Sequence, residues 1–174
     1  ETLGKRCLEE LSFFEEKLLN FDVDNQQENN LSSYVLNYLK RKLNGKPLRP
    51  FFSFMMYNYL REQIPSYTDL PQDFFKIQLP FIFEVVITIQ YLDNQILDEK
   101  NEVKQGNKNR LHQNLISSSL LKDLLYDYID EKVNISSDKK AYLYRAIRKL
   151  YRIVDVGQYV DKNYNCYEAY LKSD

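Results

Sequence analysis

The sequence is poor in residues that break a helix. Its 174 residues include only four glycines and five prolines, and no tryptophan. Because glycine and proline are the main interruptions of regular structure, their scarcity favours long helices over a sheet-rich fold. A chain of this length is also long enough to bury a substantial core. We therefore predict one all-α helical domain over residues 1–174.

Neither sign of charge is in clear excess, since 24 basic and 25 acidic residues give a formal net charge of −1. Nucleic-acid binding normally requires a basic excess, so we expect no nucleic-acid partner. Cysteine is scarce as well. Cys7 and Cys166 fit no metal or redox spacing, which favours two reduced thiols over a single bridge. Reduced thiols suit a reducing compartment such as the cytoplasm or a plastid-like organelle.

Long apolar runs are also lacking. The longest, around residues 79–92, contains Glu84 and Gln90. It is shorter than the roughly 20 residues that a transmembrane helix needs. We predict no membrane span.

Apolar residues recur at helical spacing along most of the chain. They predict helices over residues 2–21, 32–44, 50–63, 73–98, 109–131 and 138–163, with a last helix beginning near 164–167. Ser32 or Ser33 would cap the second helix, and Ser136 or Ser137 the sixth. Residues 22–30 are polar and predict a loop. Helices of these lengths are typical of a bundle.

A basic turn precedes the third predicted helix. The stretch "NGKPLRPFF", residues 44–52, places Lys46 and Arg49 just ahead of a helix N-terminus. Free backbone N–H groups and the helix dipole favour an anion there, and two cations add charge-assisted hydrogen bonds. A phosphate or diphosphate is the ligand that this pattern predicts. The alternative is a solvated loop without a ligand.

The Gly-Lys-x-x-Arg-Pro pattern of this turn resembles a motif of the trans-isoprenyl diphosphate synthases, the polyprenyl synthetase family. The stretch "FEVVITIQYLDNQILDE" is similar, without a gap, to that family's Glu-Leu-Ile-His-Thr-x-x-Leu-Ile-His-Asp-Asp-x-x-Asp-Glu. Glu84, Thr88, Asp98 and Glu99 fall on matching positions. The stretches "EVKQG", "GQYVD" and "YLKSD" resemble later motifs in the same order.

The resemblance implies an isoprenoid-synthase-type helical bundle that ends before its last helices, and a homodimer or heterodimer. It also implies an activity in which isopentenyl diphosphate is condensed with an allylic diphosphate with the help of Mg²⁺. By the same resemblance, Lys46, Arg49, Lys104 and Lys172 would bind diphosphate, and Gln158, Asp161, Ile89 and Gln90 would line the substrate pocket. Asp98 would bind the metal ion.

Several positions depart from the family's pattern. The first two metal-binding aspartates fall on Asn94 and Gln95. Magnesium prefers anionic oxygen ligands, and an amide brings no charge. A rival register uses Asp93 as the first acid, but it requires a one-residue slip in a continuous helix, which rotates the side chain by about 100°. The family's histidines fall on Ile87 and Asp93.

These departures predict a divergent homologue with weakened or lost prenyl transfer, acting as a non-catalytic subunit or a binding protein. An active, Mg²⁺-dependent synthase is the alternative, and a helical scaffold without a ligand is a third interpretation. The lone histidine, His112, lies one residue out of step with the family's motif. We expect it to be a solvated residue near a helix N-terminus.

Overall fold

The computed structural model describes residues 3–19, 26–43, 55, 57–59, 61–63, 71–98 and 108–163. Side chains are described for residues 9–18, 31–43, 55, 57–59, 61–63, 71–96 and 111–161. Throughout this part of the chain the backbone is helical, apart from short turns, and it includes no strand. The prediction of an all-α protein is therefore confirmed.

Five helices have defined bounds. They are α1 (Leu3–Leu19), α2 (Gln26–Leu43), α3 (Leu79–Asp98), α4 (Lys108–Glu131) and α5 (Ser137–Asn163). Residues 55, 57–59 and 61–63 are helical as well, in agreement with the helix predicted over 50–63. The bounds of α1, α4 and α5 differ little from the predicted ones. The helix predicted near 164–167 lies outside the described residues.

The start of α2 was predicted wrongly. The helix begins at Gln26, whereas the sequence pattern placed its start near Ser32 and gave residues 26–30 to a loop. Glutamine and glutamate are good helix formers, so a first turn made of them can be helical without apolar periodicity. Neither Ser32 nor Ser33 is the cap, because both lie inside the helix.

The helical turn that leads into α3 is a π turn because of a proline. Pro80 has no N–H, and its ring would collide with the carbonyl four residues earlier in a regular α-helix. The preceding turn, Phe74–Gln78, is π-helical, and the N–H of Leu79 donates to the carbonyl of Phe74. A π turn moves the carbonyl that lies four residues before Pro80 away from the proline ring. The single long helix predicted over 73–98 is thus a π turn followed by α3.

Residues Glu1–Ser136 and Ser137–Asp174 form two compact units. In the first, the most extensive helix–helix contact joins α3 to α4. The two helices are antiparallel, because Gln78 before α3 donates to the carbonyl of Lys132 after α4, while Gln95 contacts Asn114. The single domain predicted over 1–174 stays a prediction.

Four aromatic rings from α1, α3 and α4, here called the ring cluster, fill one end of this unit. They belong to Phe13, Phe14, Phe81 and Tyr128, each 4% exposed or less. Ring centroids of Phe81 lie 5.4 Å from Phe14 and 5.0 Å from Tyr128, with steep interplanar angles. Edge-to-face contacts of this kind add to the hydrophobic gain from burial. The Tyr128 hydroxyl donates to Glu10 at 2.7 Å, so its polar atom is satisfied.

By length and composition, one helical stretch in the described part of the chain could cross a membrane, Phe74–Ile96. Most of it is buried against other helices of the unit, as expected of the central helix of a helical core.

Candidate functional site

The candidate site lies where the C-terminal half of α3 meets the N-terminal half of α4. The last turns of α3 contain Asn94 and Gln95, which fall on metal positions of the family's motif, and Asp93, the first ligand in the rival register. All three are half-buried. Because α4 is antiparallel to α3, its residues 114–122 lie beside them. We call the hydrogen-bonded side chains at this junction the polar seam; they are Tyr34, Asp93, Gln95, Asn114, Ser118 and Lys122.

The Asp93 carboxylate is held from α4 by two donors. The Ser118 hydroxyl donates to Oδ1 at 2.5 Å, and the Lys122 ammonium donates to Oδ2 at 3.0 Å. Ser118 and Lys122 are four residues apart, so they share one face of α4. The Asp93 side chain is 21% exposed and that of Lys122 is 37% exposed. Both oxygens of this carboxylate are therefore engaged within the protein.

A second set of contacts ties α2 to the same junction. Asn114 is fully buried on α4. Its amide nitrogen donates to the Gln95 carbonyl oxygen at 3.3 Å, and its own carbonyl oxygen accepts from the Tyr34 hydroxyl at 2.8 Å. One asparagine thus bridges α2 and α3. The Gln95 oxygen, which a metal ion would need, already accepts a hydrogen bond.

Cations lie over aromatic rings near this seam. The Lys42 ammonium is 4.2 Å from the Tyr91 ring centroid, and the Arg41 guanidinium is 5.2 Å from that of Tyr38. Lys40, Arg41 and Lys42 form the basic last turn of α2, where the helix dipole favours positive charge. Cation–π contacts of this kind hold the basic turn against α3.

The described side chains near the end of α3, at positions 93–95, do not fit Mg²⁺. Magnesium demands oxygen ligands in octahedral geometry, anionic ones by preference. Asp93 is bound by Ser118 and Lys122, Gln95 by Asn114, and Asn94 carries no charge. Among the described side chains there is no group of three His, Cys, Asp or Glu residues arranged to hold a metal ion. The side chain of Asp98, the remaining predicted metal ligand, lies outside the described part.

The rival register, in which Asp93 is the first metal ligand, is disfavoured by the same contacts. In that register the carboxylate would have to leave Ser118 and Lys122. Removing an acceptor from a fully buried hydroxyl and from a lysine is costly. The gapless register, which we preferred from the sequence, places Asn94 and Gln95 at the metal positions and stays a prediction.

The predicted pocket residues of α3 are buried. Ile89 is fully buried and packs in the core, while Gln90 is 9% exposed. Neither polar atom of Gln90 has a hydrogen-bond partner, and the buried hydroxyl of Ser117 on α4 lacks one as well. Buried polar atoms without partners commonly bind water. Whether Ile89 and Gln90 line a substrate pocket stays a prediction.

The remaining predicted site residues divide into two groups. On α5, Gln158 is half-buried and Asp161 is exposed. Lys46, Arg49, Lys104 and Lys172 lie outside the described residues, so their predicted role in diphosphate binding stays a prediction. His112 is exposed in the second turn of α4, and the prediction of a solvated histidine is confirmed.

The sequence reasoning missed the α4 side of the seam. Asn114, Ser117 and Ser118 are polar residues at buried positions of a helix whose other buried residues are mostly apolar. Polar residues among the apolar ones of a helix are the signal that could have suggested a hydrogen-bonded junction. Their partners depend on how α4 is staggered against α3, which the sequence does not give.

Comparisons with known proteins give no relative for this chain. No model of a protein family, no curated protein and no solved structure matches it.

Proposed function

We propose that this protein is a divergent homologue of the polyprenyl diphosphate synthases, with an isoprenoid-synthase-type bundle whose first metal site is lost. Prenyl transfer is weakened or absent, and the protein acts as a non-catalytic subunit or as a binding protein for isoprenoid diphosphates. The proposal is supported by the family's motifs, which occur in order along the chain, and by the seam that replaces the acidic site.

The observation that carries the proposal is the engagement of Asp93 and Gln95. Both side chains point their oxygens at α4 and accept hydrogen bonds there. In a metal site the oxygen at position 95 would be free to bind the ion, and in the rival register so would those of Asp93; the charge of the ion neutralises the leaving diphosphate. Amides also bring no charge, and a unit charge pair at 4 Å is worth roughly 4 kcal/mol at an effective dielectric of about 20. A site with this chemistry should bind Mg²⁺ poorly.

The primary test is an elongation assay. The purified full-length protein is incubated with Mg²⁺, isopentenyl diphosphate and an allylic diphosphate, and product is followed by chromatography. We expect little or no elongation. Efficient turnover would contradict the proposal and support the active synthase; Asp98→Ala should then nearly abolish that turnover.

A second test separates a binding protein from a scaffold without a ligand. Inorganic diphosphate is added with and without Mg²⁺, and the melting temperature is followed. A retained anion site should raise it by mass action, and Lys46→Ala or Arg49→Ala should remove most of the rise. Lys139→Ala, at an exposed position of α5, is the matched control and should leave the rise unchanged. The absence of any rise would favour the scaffold.

A further inference from the structure

One buried side chain of α3 has hydrogen-bonding groups that the described part of the chain does not use. Gln90 is 9% exposed, and neither its Oε1 nor its Nε2 has a hydrogen-bond partner there. A glutamine amide offers two N–H donors and a carbonyl oxygen with two lone pairs. Leaving such a group dry and unpaired in an apolar interior costs free energy, and folded proteins rarely do so. The Gln90 amide should therefore bind a ligand.

Helix geometry directs the Gln90 side chain away from α4. Successive residues of an α-helix are rotated by about 100°, so Phe81 and Gln95 lie roughly 180° and 140° from Gln90 around the helix axis. Phe81 packs against Tyr128 of α4. Gln95 accepts a hydrogen bond from Asn114, also on α4. Asn114 is thus on the far side of α3 from Gln90.

Three neighbours share the face of α3 that carries Gln90. Val86 and Ile87, one turn before it, are apolar. Asn94, one turn after it, is polar and half-buried. Side chains four residues apart on a helix are neighbours, with Cβ atoms about 5–6 Å apart, and they lean toward the helix N-terminus. The Asn94 side chain therefore leans toward Gln90, although the two amides make no direct hydrogen bond.

The chemistry of these two amides favours water as the ligand. A water with hydrogen bonds of about 2.9 Å on each side connects groups that are too far apart to bond directly. Two amides bring no net charge, whereas a metal ion or an anion needs charged partners when it is buried. Asn94 is half-buried, so the water stays within reach of solvent.

We propose that a buried water bridges the side-chain amides of Gln90 and Asn94. It bonds to one polar atom of each amide, so the Gln90 side chain is no longer unpaired. Asn94, which the family resemblance places at a metal position, thus has a neutral ligand. The inference depends on this face of α3 and requires neither diphosphate binding nor prenyl transfer, so it fails independently of the proposed function.

The first experiment is a crystal structure of the full wild-type chain at a resolution that shows ordered water. We expect a water within about 2.7–3.2 Å of one polar atom of Gln90 and one of Asn94. Three results overturn the inference. They are a Gln90 amide bonded directly to a protein group, a Gln90 side chain turned into bulk solvent, and a water on Gln90 that is out of reach of Asn94.

The second experiment counts long-lived water molecules in solution by magnetic relaxation dispersion. Gln90→Leu keeps the approximate size of the side chain and removes both polar atoms, so the count should fall by one molecule. Gln72→Leu makes the same change at an exposed glutamine and is the matched control, with no expected loss. Circular dichroism verifies that both variants are folded. An unchanged count in Gln90→Leu, or an equal loss in Gln72→Leu, would contradict the buried water.

The same measurement on Asn94→Leu tests the bridge. This variant keeps Gln90 and removes the other end of the proposed bridge, so it should lose the same water as Gln90→Leu. Retention of that water in Asn94→Leu would mean that Gln90 binds it without Asn94, and the bridge would be overturned. If either variant fails to fold, the wild-type crystal structure decides, because it requires no substitution.

Discussion

The two ends of the contact between α3 and its neighbours are built differently. At the end where α3 begins, Phe81 packs within the ring cluster with Phe14 and Tyr128. At the end where α3 finishes, Asp93 and Gln95 are held by hydrogen bonds and an ion pair in the polar seam. The first end gains stability from apolar burial, which has no direction. The second depends on donors and acceptors that match.

This contrast bears on function, because a ligand site needs groups that can exchange partners. The ring cluster offers none, apart from a Tyr128 hydroxyl already bonded to Glu10. The polar seam has the right chemistry, but its carboxylate is engaged on both oxygens. A site that binds a metal would have to give up those contacts first. The polar seam is therefore a structural junction at the position where the family resemblance predicted part of a metal site.

The largest loss of stability is expected from a substitution in the ring cluster, at the end where α3 begins. Phe81→Ala should lower the free energy of unfolding by about 3–5 kcal/mol, since it removes a fully buried ring and leaves a cavity between Phe14 and Tyr128. Phe83→Ala is the control on the same helix, because Phe83 is exposed, and its cost should stay below about 1 kcal/mol. Chemical denaturation of both variants measures the difference. Equal losses would mean that the ring cluster is not the stabilising end.

The helices at both ends could be predicted from the sequence, but their contacts could not. Apolar spacing placed α3 and α4 correctly because periodicity is a local property. Apolar spacing did not predict the start of α2 at Gln26, because the first turn of that helix consists of polar residues and has no apolar periodicity. The partners of Asp93 depend on how far α4 is shifted along α3. The sequence does not give this shift, because no single residue determines it. Burial of Ser118 and Asn114 is visible only once that stagger is known.

The next effect tests whether the polar seam acts as a unit. Asp93→Ala should cost about 1–3 kcal/mol of unfolding free energy, because the buried Ser118 hydroxyl and the Lys122 ammonium both lose an acceptor. A double-mutant cycle with Ser118→Ala isolates the shared part. We expect the double variant to cost less than the sum of the single variants, with a coupling of roughly 1 kcal/mol. Strict additivity would show that the two side chains do not interact.

A smaller loss of unfolding free energy is expected from a substitution where α2 contacts the polar seam. Tyr34→Phe removes the hydroxyl that donates to Asn114 and keeps the ring, so it should cost about 0.5–1.5 kcal/mol. Tyr59→Phe makes the same change at a largely exposed tyrosine and should stay within about 0.5 kcal/mol of the wild type. Thermal and urea unfolding both report these differences. If the two variants were equally stable, the link from α2 to Asn114 would not contribute to stability.

The smallest effect concerns the charges at the rim of the ring cluster. The hydrogen bond from Lys17 to Glu131, at 2.5 Å, raises the pKa of Lys17 above its ordinary value of 10.5. A raised pKa in the folded state means that the pair stabilises the fold below pH 10.5, and that this contribution is lost as the pH rises through the folded-state pKa. The Lys17 and Glu131 side chains are 33% and 50% exposed, so solvent and salt screen the effect.

Nuclear magnetic resonance titration of the Lys17 ammonium tests this pair. Glu131→Gln should return the pKa of Lys17 toward its ordinary value, because it replaces the charged acceptor with a neutral amide. Glu16→Gln removes only a more distant negative charge and should lower that pKa by less. A drop in Glu16→Gln as large as that in Glu131→Gln would mean that general charge, and not the direct contact, sets the titration. The direct contact between Lys17 and Glu131 would then contribute little to the packing of α1 against the end of α4.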